Sequence, residues 1–310
     1  MSKKTAKAFA PAGISSFFEI CDTTANGKPI TDLKHVGARG GGFALQKGVL
    51  TEVSVSESET TNIRVFINGK LASEAETTTT ALQLLLNKVA TAYTIDVYHK
   101  IEVPIGAGFG TSAGGALTAV LALAKALRLP LTFNEIGEIA HAAEVKCKTG
   151  LGTVGPLMTG GCVLTIEPGA PGVSKIDHIP LTAEYAVVVG FIGAIPTKQV
   201  LNSVEKKKEV NRYGKKTLDA ILTEPTLENF LAHCWDFAEK TGFATARTRQ
   251  LVHLAKKSAA IGAAQNMVGE AIHAVAYEEK AQQVVEAFKQ LLPEKNIIMA
   301  KIDQQGARLL

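Results

Sequence analysis

Val103-Pro-Ile-Gly-Ala-Gly-Phe-Gly-Thr-Ser-Ala-Gly-Gly-Ala116 sets five glycines and two hydroxyl residues between two segments of different period. Upstream, Ile95, Val97, Ile101 and Val103 share one face at period 2, with Asp96, Tyr98, Lys100 and Glu102 on the other, which predicts a strand. Downstream, Ala113 to Leu129 is rich in Ala and Leu and predicts a mostly buried helix. A glycine turn that feeds a helix N-terminus is an anion site. The first N–H groups lack helical partners, and the helix dipole favours negative charge there. Glycine also lets backbone approach a phosphate with no Cβ in the way. The plainer reading is a tight turn with Ser112 as helix cap, but a cap alone does not call for so many glycines.

Three glycine-loop chemistries compete for this stretch. The P-loop pattern needs a lysine before its Ser/Thr, and Gly110 is followed directly by Thr111 and Ser112. The dinucleotide pattern begins at Gly106 and Gly108, but its third glycine comes one residue early at Gly110. No acidic residue follows between Leu121 and Phe133 to hold a ribose. The third pattern, P-x-G-x-G-[LF]-G-[ST]-S-A, is met at every position from Pro104 to Ala113.

That third pattern is the signature loop of the GHMP small-molecule kinases, and the chain resembles this superfamily along most of its length. Phe9-Ala-Pro-Ala-Gly-Ile-Ser-Ser-Phe-Phe18 is similar to the family's first motif, on the substrate side. Gly262-Ala-Ala-Gln-Asn-Met-Val-Gly269 is similar to its third, glycine-rich motif. Ala140 to Val154, followed by Gly160-Gly161, resembles the segment carrying a magnesium carboxylate and the catalytic loop. Gly37-Ala-Arg-Gly-Gly-Gly42, Thr149-Gly-Leu-Gly152, Pro168-Gly-Ala-Pro-Gly172 and Pro196-Thr-Lys198 narrow the resemblance to the archaeal pantoate kinase branch. The resemblance implies an ATP- and Mg2+-dependent transferase. It would phosphorylate the primary hydroxyl of pantoate to 4-phosphopantoate, in archaeal coenzyme A biosynthesis. A mevalonate or mevalonate-3-phosphate kinase, or a non-catalytic nucleotide-binding regulator, stays open beside it.

Composition sets wider bounds. The chain has 310 residues, enough for two domains, and is 46% hydrophobic, which supports a sizeable core. A net charge of +4 is too mild to argue for nucleic acid and suits an anionic substrate with ATP. Cys21, Cys147, Cys162 and Cys234 are scattered without metal or redox spacing, so free thiols in a reducing cytosol are expected. Met1 to Lys7 lacks the apolar run of a signal peptide. Lys125 and Arg128 interrupt the most apolar helix, so no membrane span is expected. A soluble, cytoplasmic protein follows. A homodimer is compatible with these features, which do not fix the oligomeric state.

Coarse periodicity orders the rest. Strands are predicted at Val49–Val55 and Ile63–Ile67, with Asn68-Gly69 as a hairpin turn. A helix is predicted over Thr77–Tyr93, capped by its threonines, and another over Asn134–Lys146 after a Thr132 cap. Gly161–Ile166 reads as a strand, and the Pro168–Gly172 cluster as the start of a crossover to a second half. Beyond it come a buried strand at Tyr185–Ile192, helices at Leu201–Leu222, Leu227–Lys240 and Phe243–Ala260, a helix marked by Val284 and Phe288, and a strand at Ile297–Ile302. Strands and helices mix without strict alternation, which favours α+β. The resemblance adds a two-domain GHMP-kinase-like fold, with nucleotide and substrate in the interdomain cleft. The N-terminal domain takes residues 1–175 with the glycine-rich loop, and a C-terminal α+β domain takes 176–310.

The resemblance also assigns roles. Pro104, Gly106, Gly108, Gly110, Thr111, Ser112 and Ala113 would cradle the ATP phosphates. Ser112 and Glu144 would hold Mg2+, which takes one or two carboxylates with phosphate and water. Thr153 falls where many members carry a catalytic aspartate, and a threonine cannot act as a base near neutral pH. Gly13 and Ile14 fall where mevalonate-type members have an assisting lysine. Phosphoryl transfer can still proceed by positioning and charge neutralisation. For the acid's carboxylate, Arg39 among its glycines offers a two-pronged hydrogen bond. Ser15, Ser16 and Lys198 are further substrate contacts. His99 and Trp235 are read as structural.

Overall fold

An 18-residue strand, β1 (Lys4–Cys21), runs antiparallel to the 21-residue β2 (Gly37–Glu57) from Lys4↔Val55 to Cys21↔Gly37. The computed structural model describes residues 3–87, 89–193 and 203–310. The glycines at 40–42 belong to β2, where the neighbouring strands leave no room for side chains. A Cβ on Gly42 would stand 1.7 Å from the Ile14 carbonyl oxygen. Two register shifts, at Pro11/Ala12 and Ser15/Phe17, let so long a pair twist.

The first sheet runs β12-β1-β2-β5-β3-β4. It contains β3 (Asn62–Ile67), β4 (Lys70–Leu71), β5 (Tyr93–Ile101), β6 (Cys162–Glu167), β7 (Lys175–Ile179) and β12 (Arg308–Leu309). One end of β2 pairs with β5, and its glycine end, Gly40–Phe43, pairs with β6. Asn68 and Gly69, with φ of 49° and 82°, form the expected turn between β3 and β4. The Pro168–Gly172 cluster does not start the crossover. It turns β6 back into β7, which stays in the first sheet.

Helices α1 (Glu76–Leu86), α2 (Thr111–Leu127), α3 (Phe133–Cys147) and the short α4 (Val154–Thr159) cover one side of this sheet. Their core joins Ala8, Val53, Leu82, Ile95, Leu117 and Ile139. Thr132 closes α3 with the capping box it makes with Glu135. The threonines of α1 do not cap it. Thr77 and Thr78 point inward, and Thr78 meets the buried His99 at 3.2 Å. His99 also bonds Thr51 at 2.7 Å, so it is structural as expected.

The second sheet, β11-β8-β10-β9, comprises β8 (Tyr185–Gly193), β9 (Gly262–Gln265), β10 (Glu270–Tyr277) and β11 (Ile297–Lys301). Helices α5 (Val204–Thr223), α6 (Leu227–Lys240), α7 (Ala246–Lys257) and α8 (Ala281–Lys289) accompany it. One aromatic-rich core, with Phe17, Phe43, Phe230, Phe237 and Val187, runs from the first sheet into the second. On α5, Asn211 accepts from the Ile20 N–H at 2.8 Å and donates to the Ile20 carbonyl at 2.9 Å, as a neighbouring strand would. Trp235 packs against the core. At the far end, β12 returns to pair with β1 through Ala8↔Leu309. Among the described residues no helix is long and apolar enough to cross a membrane.

Candidate active site

Phe109 is buried in the core and pins the glycine loop from within, and its carbonyl accepts from Gly13 N–H of β1 at 3.0 Å. On either side, Gly108 and Gly110 hold φ of 79° and 61°, values that an L side chain resists. Gly110 is the N-cap of α2, and no side chain caps that helix. The N–H groups of Thr111, Ser112 and Ala113 therefore begin the helix without helical acceptors.

Ser112 is not a cap. Its hydroxyl donates to Glu144 Oε1 at 2.6 Å, and Thr149 donates to the same oxygen at 2.8 Å. Glu144 is 2% exposed, and no described ion pair includes it. Burial raises its carboxyl above the usual range, and the bonds from Ser112 and Thr149 act the other way. A buried carboxylate ringed by hydroxyls is a hard-oxygen donor set that suits Mg2+. Gly150 leaves it room, since a Cβ there would stand 2.2 Å from Oε2.

Thr153 sits at the N-cap of α4, where its hydroxyl makes no capping bond. Its methyl Cγ2 lies 2.7 Å from where a Gly110 Cβ would stand and 3.7 Å from the same point on Gly13. The position thus borders both the glycine loop and β1, with a threonine in it. The Asn266–Gly269 segment, between β9 and β10, completes the group. Met267 N–H donates to the Ser15 carbonyl at 2.7 Å, and Asn266 Cβ lies 3.7 Å from the Gly108 Cβ position. The three motifs, far apart in sequence, meet here.

The family comparison matches residues 76–161 to the N-terminal domain of GHMP kinases. The pantoate kinase of Thermococcus kodakarensis is 32% identical over 294 residues, covering 94% of this chain and 93% of that protein. The chain belongs to the pantoate kinase branch of the GHMP kinases. The pantoate kinase of Methanocaldococcus jannaschii is 30% identical, over 91% of this chain and 96% of its own length. A solved structure described as a phosphotransferase related to the CoA biosynthesis pathway superposes with a TM-score of 0.86 at 29% identity, covering 99% and 98% of the two chains. The α+β reading holds in this GHMP kinase, as a mixed fold with two sheets.

The substrate-side residues have unlike surroundings. Arg39 lies in β2, and its Nη2 stands 2.7 Å from the Glu19 carboxylate. It is therefore paired already, and Ala38, its neighbour on the opposite strand face, is what abuts Gly152. Ser16 is fully buried, with Oγ 2.9 Å from His273 Nε2, so it is not open to a substrate. Ser15 is half-buried and offers its carbonyl to Met267. Lys198 lies outside the described residues. The four cysteines are free, and Cys147 Sγ stands 3.4 Å from Thr80 Oγ1. Sequence reasoning gave Thr149, Asn266 and His273 no role. Thr149 and Asn266 stood inside quoted motifs. His273 lies on a strand, Glu270–Tyr277, whose alternation went unread.

Proposed function

We propose that this chain is a cytosolic kinase that transfers the γ-phosphoryl group of ATP to the primary hydroxyl of pantoate, making 4-phosphopantoate for coenzyme A synthesis. The observation that carries it is the Ser112–Glu144 pair beside the uncapped start of α2. The pair joins a phosphate cradle to a metal-type oxygen donor. The choice of pantoate rests on the full-length likeness to the two pantoate kinases.

In this reading the backbone from Gly106 to Ala113 wraps the triphosphate, with Pro104 stiffening the entry from β5. Ser112 and Glu144 would hold Mg2+, which when bound neutralises phosphate charge and orients the transferred group. No carboxylate stands at Thr153, so the alcohol's reactivity comes from placement against the phosphate and not from a strong base. The acid lies between the two sheet-bearing halves, residues 1–175 and 176–310. Ser15 faces it, and Arg39 shares its guanidinium between Glu19 and the acid's carboxylate. The Arg39 side chain stays 29% exposed beside Glu19, which leaves its guanidinium within reach of that carboxylate. Phosphorus NMR and mass spectrometry of a reaction of purified protein with ATP, Mg2+ and pantoate test this. The expected product is a monoester on the primary carbon, and absence of any phosphorylated acid refutes the reading.

A further inference from the structure

His273 is wholly buried on β10, between Val189 of β8 and Ala264 of β9. Its ring stands edge-on to Phe43, with centroids 5.7 Å apart. Its Nδ1 lies 2.8 Å from Asn266 Oδ1, and its Nε2 lies 2.9 Å from Ser16 Oγ. Burial pushes its pKa down to about 3, so the ring is neutral and has one N–H to give. A carbonyl oxygen only accepts, so Nδ1 carries the hydrogen. Nε2 then accepts from Ser16. The line has one direction, from the β1 bulge through His273 to the third glycine-rich segment.

The bulge puts Ser16 in that line. Ser15 pairs with Gly42 and Phe17 with Gly41, which leaves Ser16 as the extra residue. At the other end, Asn266 N–H donates to the Ala271 carbonyl at 2.9 Å, which closes the loop. That loop lies on the phosphate loop. Asn266 Cβ and the Met267 carbonyl are each 3.7 Å from the Gly108 Cβ position, and a Gly269 Cβ would be 3.8 Å from the Ala107 carbonyl. Asn266 Nδ2 is buried and has no partner among the described residues. Directional bonds of this kind select one placement of the loop, which apolar contact alone does not.

We propose that His273 is a positioning residue for nucleotide binding: through Ser16 and Asn266 it fixes the Asn266–Gly269 loop against the phosphate loop at Ala107 and Gly108. This rests on the reading that the phosphate loop holds ATP. The test measures the affinity of a fluorescent ATP analogue for wild type, Ser16→Ala, His273→Gln and the double variant, with thermal melts to confirm folding. Ser16→Ala removes only a hydroxyl and keeps the test open should His273→Gln fold poorly, because Asn266→Ala can then replace it in the cycle. Each single change is expected to weaken binding about tenfold, and the double variant by little more than the worse single. The KM for ATP should rise while the KM for the acid holds within about twofold. Unchanged analogue affinity in folded variants, or single effects that multiply in the double variant, would overturn the proposal. A wild type that binds the analogue yet phosphorylates no acid refutes the kinase reading alone.

Discussion

Ser112 on the first turn of α2 and Glu144 on α3 are joined by a 2.6 Å hydrogen bond, although 32 residues separate them in the chain. Thr149 bonds the same carboxylate oxygen and also meets Thr77 of α1 at 3.1 Å. Three helices thus converge on one buried carboxylate at the mouth of the glycine loop. An unpaired charge in such a place weighs against the ligand-free fold, and a bound cation offsets that cost.

Glu144→Gln is therefore expected to separate stability from activity. A carboxyl raised by burial gives stability that is present at low pH and lost as pH rises past its ordinary value of 4.5. Removing the charge should raise the melting temperature of the ligand-free protein at neutral pH. Turnover should fall roughly a hundredfold or more, and Mg2+ with nucleotide should stabilise the variant less than wild type. Wild-type kinetics in this variant would remove Glu144 from the metal site.

Gly110→Ala tests the cradle. The residue must hold φ of 61°, and its Cβ would stand 2.7 Å from Thr153 Cγ2. The left-handed conformation alone costs a non-glycine residue about 1–2 kcal/mol. The expected result is a nucleotide KM raised roughly tenfold, read in initial-rate kinetics with ATP varied. An unchanged KM would mean that the loop does not bind phosphate in this geometry.

The glycine loop and the helix after it were readable because their chemistry is local: a spacing of glycines, then an apolar helix. The Asn68-Gly69 turn and the Thr132 cap were readable for the same reason. The long β1–β2 pair was not, because its glycines at 40–42 answer to a strand elsewhere in the chain, and alone they resemble a loop. Arg39 lies among them, and only pairing across the sheet reveals Glu19 as its partner. Ser112 and Glu144 were singled out through the family's motif. Their bond to each other depends on how α2 packs on α3, which no local pattern reports.

Thr153→Val asks whether the hydroxyl at the catalytic-loop position takes part in the reaction. Valine keeps the methyl that packs on Gly110 and Gly13 and removes the oxygen. If transfer relies on placement, kcat should stay within about fivefold of wild type, since loss of a working base costs about a hundredfold or more. A loss of that larger size, with folding intact by circular dichroism, would give Thr153 a direct chemical role.

Acid should unfold the protein partly through His99. Burial lowers its pKa from 6.5 to about 4. The stability that follows is complete above pH 6.5 and is lost as pH falls from there toward 4, on the order of 3 kcal/mol in all. His99→Asn should flatten the fall of melting temperature between pH 6.5 and 4. An equal slope in wild type and variant would show that His99 titrates normally in the folded protein.

The central claim is the choice of acceptor. Coupled ADP release, measured side by side with pantoate, mevalonate, mevalonate 3-phosphate and homoserine under saturating ATP and Mg2+, tests it most directly. The highest kcat/KM is expected with pantoate, by at least about a hundredfold, as where buried polar groups must match a substrate's own. Turnover of mevalonate but not pantoate, or ATP binding with no turnover of any acid, would contradict it.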